Sequence, residues 1–108
     1  MIKSFGDKAT SDLFHGNSSS KVRKLSTQIL ESATYKLDIL NAATSLDDLR
    51  SPPGNRLEAL RGDYKGFHSI RINTQWRIVF RWQDSSAYDV VPKHRDRLSL
   101  INRTGESV

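Results

Sequence analysis

The chain has 108 residues, 36% of them hydrophobic and 27% charged, which supplies one compact core and excludes both a disordered segment and two substantial domains. The absence of cysteine excludes disulfides and thiolate metal sites, and His15, His68 and His94 lack the spacing of zinc ligands, so no metal or cofactor is implied. The net charge of +5 is unevenly spread, with 7 basic and 6 acidic residues in 1–54 but 10 and 6 in 55–108, a bias that suits a polyanion as readily as a solvated surface.

In chain order, Ile2 and Phe5 in MIKSF read as a short strand, SDLFHG as a helical turn and NSSS as a polar linker. From Lys21 to about Ala43, the residues Val22, Leu25, Ile29, Ala33, Leu37 and Leu40 recur at steps of three and four, which predicts an amphipathic helix capped by Ser19 or Ser20. SLDDLR continues with a further helical turn that Ser45 is placed to cap, and Pro52 and Pro53 end it. Beyond Gly54 the period becomes two. FHSIRIN and QWRIVFRW read as strands, with Ile70 and Ile72 on one face and Trp76, Ile78, Phe80 and Trp82 on the matching face of the next; a further strand runs through Tyr88 and Val90. Neither a membrane span nor a signal peptide is visible, so a cytoplasmic protein is expected. The sum is an α+β domain: two helices on one face of an antiparallel sheet of four to five strands.

The opposite face carries the chemistry. If Asn73-Thr74-Gln75 is a three-residue loop, Ile72 faces Trp76, Ile70 faces Ile78 and Arg71 faces Arg77. The same alternation turns Arg71, Arg77 and Arg81 outward together. Like charges directly opposite across a strand pair are destabilising. A bound polyanion is one reason to keep them, because arginine forks onto phosphate with two hydrogen bonds and never loses its charge. The bland reading is polar filler on a wet face.

The stretch LRSPPGNRLEALRGDYKGFHSIRINTQWRIVFRW, the MI(K/R)SF start and the LD-L-AAT-L-DLR stretch, together covering about residues 1 to 90, closely resemble the HigB-type toxins of the RelE superfamily, the toxins of bacterial toxin-antitoxin pairs. The resemblance implies a RelE-like fold, endoribonuclease activity on mRNA in the ribosomal A site, and a helix-turn-helix antitoxin of the HigA type. Through that antitoxin the pair would reach DNA indirectly. Metal-free RNA cleavage needs a base for the 2′-hydroxyl, cations for the phosphate and a proton for the leaving 5′-oxygen.

Set against the family, Glu58-Ala59-Leu60-Arg61 occupies the H-x-x-K stretch before the G-D, so Glu58 stands in the place of the histidine and Arg61 in that of the lysine. Arg77 matches the strand arginine of W-R-I and would stabilise the phosphate, while Arg56, Arg61, Arg71, Arg81, Lys65 and Lys93 would hold the RNA. Relatives often finish on an acidic-aromatic-histidine ending. Here the chain runs on as PKHRDRLSLINRTGESV, which makes His94 the candidate acid or base, suited by its ordinary pKa, and residues 95–108 an atypical tail. His68 reads as a core-edge histidine, and His15 carries no signal. The alternative functions are a ParE-like inhibitor of DNA gyrase, a branch that shares the fold, and a non-catalytic RNA- or antitoxin-binding protein.

Overall fold

A computed structural model of the chain describes residues 1–17, 20–23 and 27–98. Three α-helices precede four strands: α1 (Lys8–Phe14), α2 (Ser20–Arg23) and α3 (Thr27–Ala42), then β1 (Glu58–Ala59), β2 (Phe67–Arg71), β3 (Trp76–Gln83) and β4 (Ser86–His94). Asp7 starts α1, its carboxylate accepting from the Thr10 N–H at 2.8 Å and the Thr10 hydroxyl at 2.6 Å. Of the expected helical stripe, Ile29, Ala33, Leu37 and Leu40 are buried on α3, against Ile70, Ile72, Ile78, Phe80 and Val90 of the sheet. Each buried leucine or isoleucine is worth about 1.5–3 kcal/mol in area removed from water. Val22 is half-buried; Leu25 and the cap candidate Ser19 lie outside the described residues.

SLDDLR forms a 3-10 turn, Leu46–Arg50, closed by a reciprocal capping box between Ser45 and Asp48. The prolines then lead into a second 3-10 turn, Pro53–Asn55, which ends with Arg56 in the left-handed region at φ 45°.

The sheet order is β1-β2-β3-β4, antiparallel throughout. Between Ile72 and Trp76 the chain turns in the expected three residues, Asn73-Thr74-Gln75. The Asn73 side chain accepts from the N–H groups of Gln75 and Trp76 at 2.8 Å each, and the Ile72 N–H donates to the Trp76 carbonyl at 2.8 Å. That turn fixes the register, pairing Ile70 with Ile78 and Arg71 with Arg77. Beyond β4, Ile2 and Phe5 form parallel bridges to Ala87 and Val90, a fragmentary fifth strand. The chain passes so close here that a Cβ on Gly6 would lie 2.9 Å from the Val91 Cβ.

The face away from α3 differs from a simple wet surface. Leu60, Val79 and Leu98 form a second buried cluster there, with Tyr64 and Phe67 packed against it. Its cause is the chain beyond β4: residues 95–98 turn into helix and fold Leu98 onto Val79. The rest of the atypical tail, 99–108, lies outside the described residues.

Candidate functional site

A pocket of about 360 Å³ opens on this second face, lined by Arg56, Glu58, Arg71, Asn73, Thr74, Arg77, Arg95 and Leu98. Each side chain arrives for a local reason. Glu58 pairs with Ser69 across β1 and β2, so alternation puts both on the face of Arg71 and Arg77. Arg56 is delivered by the left-handed turn that closes Pro53–Asn55. Arg95 is the first residue after β4, tied to the β2–β3 loop by its N–H to the Gln75 carbonyl at 2.6 Å and its Nη1 to the Thr74 carbonyl at 3.1 Å.

Arg77 sits at the centre and is held on three sides. Its Nε donates to the Ser69 hydroxyl at 2.7 Å, and its Nη2 donates to the Ser69 carbonyl at 3.3 Å and to the Arg56 carbonyl. Among the described residues Nη1 makes no hydrogen bond and remains available to an incoming acceptor. Burial lowers the pKa of the guanidinium, Glu58 partly offsets this, and the charges of Arg71 and Arg56 lower it further. Such a cluster is electrostatically short of an anion. Lys93 stands directly opposite Arg77 on β4 and extends the row to Arg71–Arg77–Lys93 across three strands.

The other candidates fall elsewhere. Arg81 shares the face but not the pocket: its Nε binds the Asp89 carboxylate at 2.8 Å and its guanidinium lies 5.2 Å from the Tyr88 ring. The irregularity in β4 pairing between Val79 and Arg81 and the apolar cluster around Val79 separate it from Arg77. Arg61 and Lys65 are exposed at the two ends of the 3-10 turn Gly62–Tyr64 and do not line the pocket.

His94 pairs with Trp76, which places it on the α3 side of the sheet, its ring 5.3 Å from the Trp76 ring and its Nδ1 accepting the Asp96 N–H at 3.2 Å. That placement keeps His94, the candidate acid or base, on the other side of the sheet from Arg77. His68 pairs with Phe80 and stacks on it at 6.2 Å, with Nδ1 buried and without a hydrogen bond, as a core-edge histidine would be; burial lowers its pKa.

Sequence reasoning missed Arg95, Ser69, Asn73 and Thr74. The signal for Arg95 lay in the register: once Trp76 opens β3, the residue that follows its partner on β4 must stand beside the β2–β3 loop. Among the described residues no group of three or more His, Asp or Glu side chains is arranged to hold a metal, and no helix is long and apolar enough to cross a membrane.

A family model described as the RelE-like toxin of the type II toxin-antitoxin system HigB matches residues 3–94. The Toxin HigB-1 of Vibrio cholerae serotype O1 is 42% identical over 88 residues, 81% of this chain and 90% of that protein. The protein named Endoribonuclease HigB from Proteus vulgaris is 32% identical over 88 residues, 82% of this chain and 91% of that one. In fold, the chain is similar to the crystal structure of YafQ from E. coli, with a TM-score of 0.55 at 14% identity, covering 91% of this chain and 98% of the other.

Proposed function

The chain belongs to the HigB-like family of RelE-like toxins of type II toxin-antitoxin systems, and from that membership we propose that it is an endoribonuclease that inhibits translation by cutting mRNA in the ribosomal A site. The observation that carries the reading is the pocket itself, where four guanidinium groups surround a single carboxylate, Glu58. The naming of the Proteus vulgaris relative as an endoribonuclease supports it.

In this reading Glu58 takes the 2′-hydroxyl proton as the 2′-oxygen attacks the adjacent phosphorus. Arg77, with Nε and Nη2 already fixed, presents Nη1 to a non-bridging oxygen and stabilises the charge that builds there. Arg56, Arg71 and Arg95 hold the flanking backbone, and Lys93 adds attraction at the rim. The bond from phosphorus to the 5′-oxygen then breaks, and that oxygen needs a proton. Arginine is too weak an acid to give one near neutrality, and no histidine lines the pocket. The proton comes from water or from a group of the ribosome, which gives ribosome dependence a chemical cause.

The partner is a helix-turn-helix antitoxin of the HigA type, whose recognition helix carries the DNA contact for both proteins. Primer extension on a translated mRNA tests the proposal: cuts are expected at codons with ribosomes present and not on naked RNA. Intact mRNA on toxin-loaded ribosomes would overturn it, and cleaved plasmid DNA in a gyrase reaction without mRNA cuts would point to the ParE-like branch instead.

A further inference from the structure

The spacing that buries Ile29, Ala33, Leu37 and Leu40 on α3 also places Lys36 on the buried side of the helix, and Lys36 is only 8% exposed. Lysine is almost never buried without a partner. Here the partner is Asn55, whose Oδ1 accepts from the Lys36 Nζ. Asn55 is fully buried, and its Nδ2 donates to the carbonyls of Leu49 and Ser51 at 3.2 Å each. One amide, anchored to α3 by an ammonium, thus ties the end of Leu46–Arg50 to the turn Pro53–Asn55.

The next residue is Arg56, whose left-handed backbone a residue with a Cβ holds only where its surroundings impose it. Its carbonyl receives the Arg77 Nη2. A continuous run of contacts therefore leads from a helix on one side of the sheet, through Asn55 and the Arg56 main chain, to the guanidinium at the centre of the pocket on the other. Packing alone does not call for this arrangement, since a methionine at position 36 would fill the space without desolvating a charge. Burial lowers the Lys36 pKa, and the positive charge of Arg71 lowers it further. A cost of this kind at a core position points to a role in the site.

We propose that Lys36 and Asn55 are positioning residues of the arginine pocket, fixing the Arg56 main chain so that its carbonyl orients the Arg77 guanidinium towards the scissile phosphate. The phosphate rests on the function proposed above; the orientation of Arg77 does not.

Two variants separate the parts. Lys36→Met keeps the stem and removes the ammonium, while Asn55→Asp keeps an acceptor for Lys36 and removes the two amide donors. Each is assayed for mRNA cleavage on ribosomes, and the Arg77 Nε–H is followed by 15N NMR, its signal identified by its loss in Arg77→Met. We expect kcat to fall about tenfold or more in each with KM within about threefold, and the double variant to fall little further than the worse single one, as members of one chain of contacts do. The Nε–H signal should shift and exchange faster with water. Wild-type kcat with an unmoved Nε–H signal overturns the proposal. So does a fall in kcat that follows only a lowered Tm while the signal stays in place. If Lys36→Met does not fold, Asn55→Asp decides the point by the same readings. If the wild-type protein does not cut mRNA, the nuclease reading falls, and the Arg77 signal alone decides on Lys36 and Asn55.

Discussion

Replacing Arg77 by methionine should separate activity from stability. The substitution removes the Nε bond to the Ser69 hydroxyl, the two Nη2 bonds to main-chain carbonyls and the charge at the centre of the pocket. Lost intramolecular hydrogen bonds of this kind cost about 1 kcal/mol each. Against them stand the burial of a guanidinium and its repulsion by Arg71 directly across the strand pair and by Arg56, all of which methionine relieves. The two sides nearly cancel, so stability should change by no more than about 2 kcal/mol, a Tm shift below roughly 10–15 °C for a domain of this size.

Activity has no such compensation. Removing one preorganised donor from a developing oxyanion costs about 2.7–4 kcal/mol, roughly 10²–10³ in kcat. The assay is single-turnover cleavage of ribosome-bound mRNA beside a thermal melt of the same preparation. Retention of more than about a tenth of wild-type cleavage, or a loss matched by unfolding at the assay temperature, would refute the reasoning. Arg77→Lys should fall between the two, because lysine keeps the charge without the fork that Ser69 and Arg56 hold.

Glu58→Gln should lower kcat at least about tenfold in single-turnover cleavage, whereas Arg61→Ala and His94→Gln, both outside the pocket, should leave cleavage within about threefold of wild type. RNA binding should weaken with salt, and Arg71→Ala or Arg95→Ala should each reduce the log–log slope by about 0.7, the single-strand contribution of one phosphate contact. Leu98→Ala should destabilise the protein by about 2–5 kcal/mol in denaturant unfolding, since Leu98 is 3% exposed against Leu60 and Val79, and should raise KM by loosening the turn that carries Arg95. His68 is held below its ordinary pKa by burial, so the unfolded chain takes up its proton first. The contribution of His68 to stability is therefore complete above about pH 6.5 and lost as pH falls below it; His68→Phe should flatten that loss in melts recorded across the range.

The sequence made the site's central pair legible because alternation and turn chemistry agree. Asn73 is a residue that closes a tight turn with its own side chain, and three loop residues leave only one register for Arg71 and Arg77. The same parity argument was right about His68 and Phe80. It put Arg81 on the right face but not out of the pocket, because the irregularity after Val79 and the Asp89 carboxylate are tertiary facts with no signature in a period of two. For His94 alternation alone is no guide, because the face of a strand follows from its cross-strand partner, here Trp76. Arg61 illustrates a different limit. Glu58 and Leu60 point to the arginine face, and extended backbone through Arg61 turns the next side chain away, although a motif read by position alone treats Glu58 and Arg61 as a pair. Lys36 was not legible, because a lysine beside an apolar stripe reads as a solvated edge until Asn55 stands beneath it.

The edges of the sheet bear on the protein's life without its antitoxin. β4 is flanked by β3 on one side and, on the other, by the first residues of the chain, through four main-chain hydrogen bonds between Met1–Gly6 and Ala87–Val90. The remaining edge, β1, is two residues long and carries Glu58. A short, charged border offers little template for a foreign strand. With one edge paired to the first residues of the chain and the other short and charged, the sheet presents little to draw copies of the chain into aggregates.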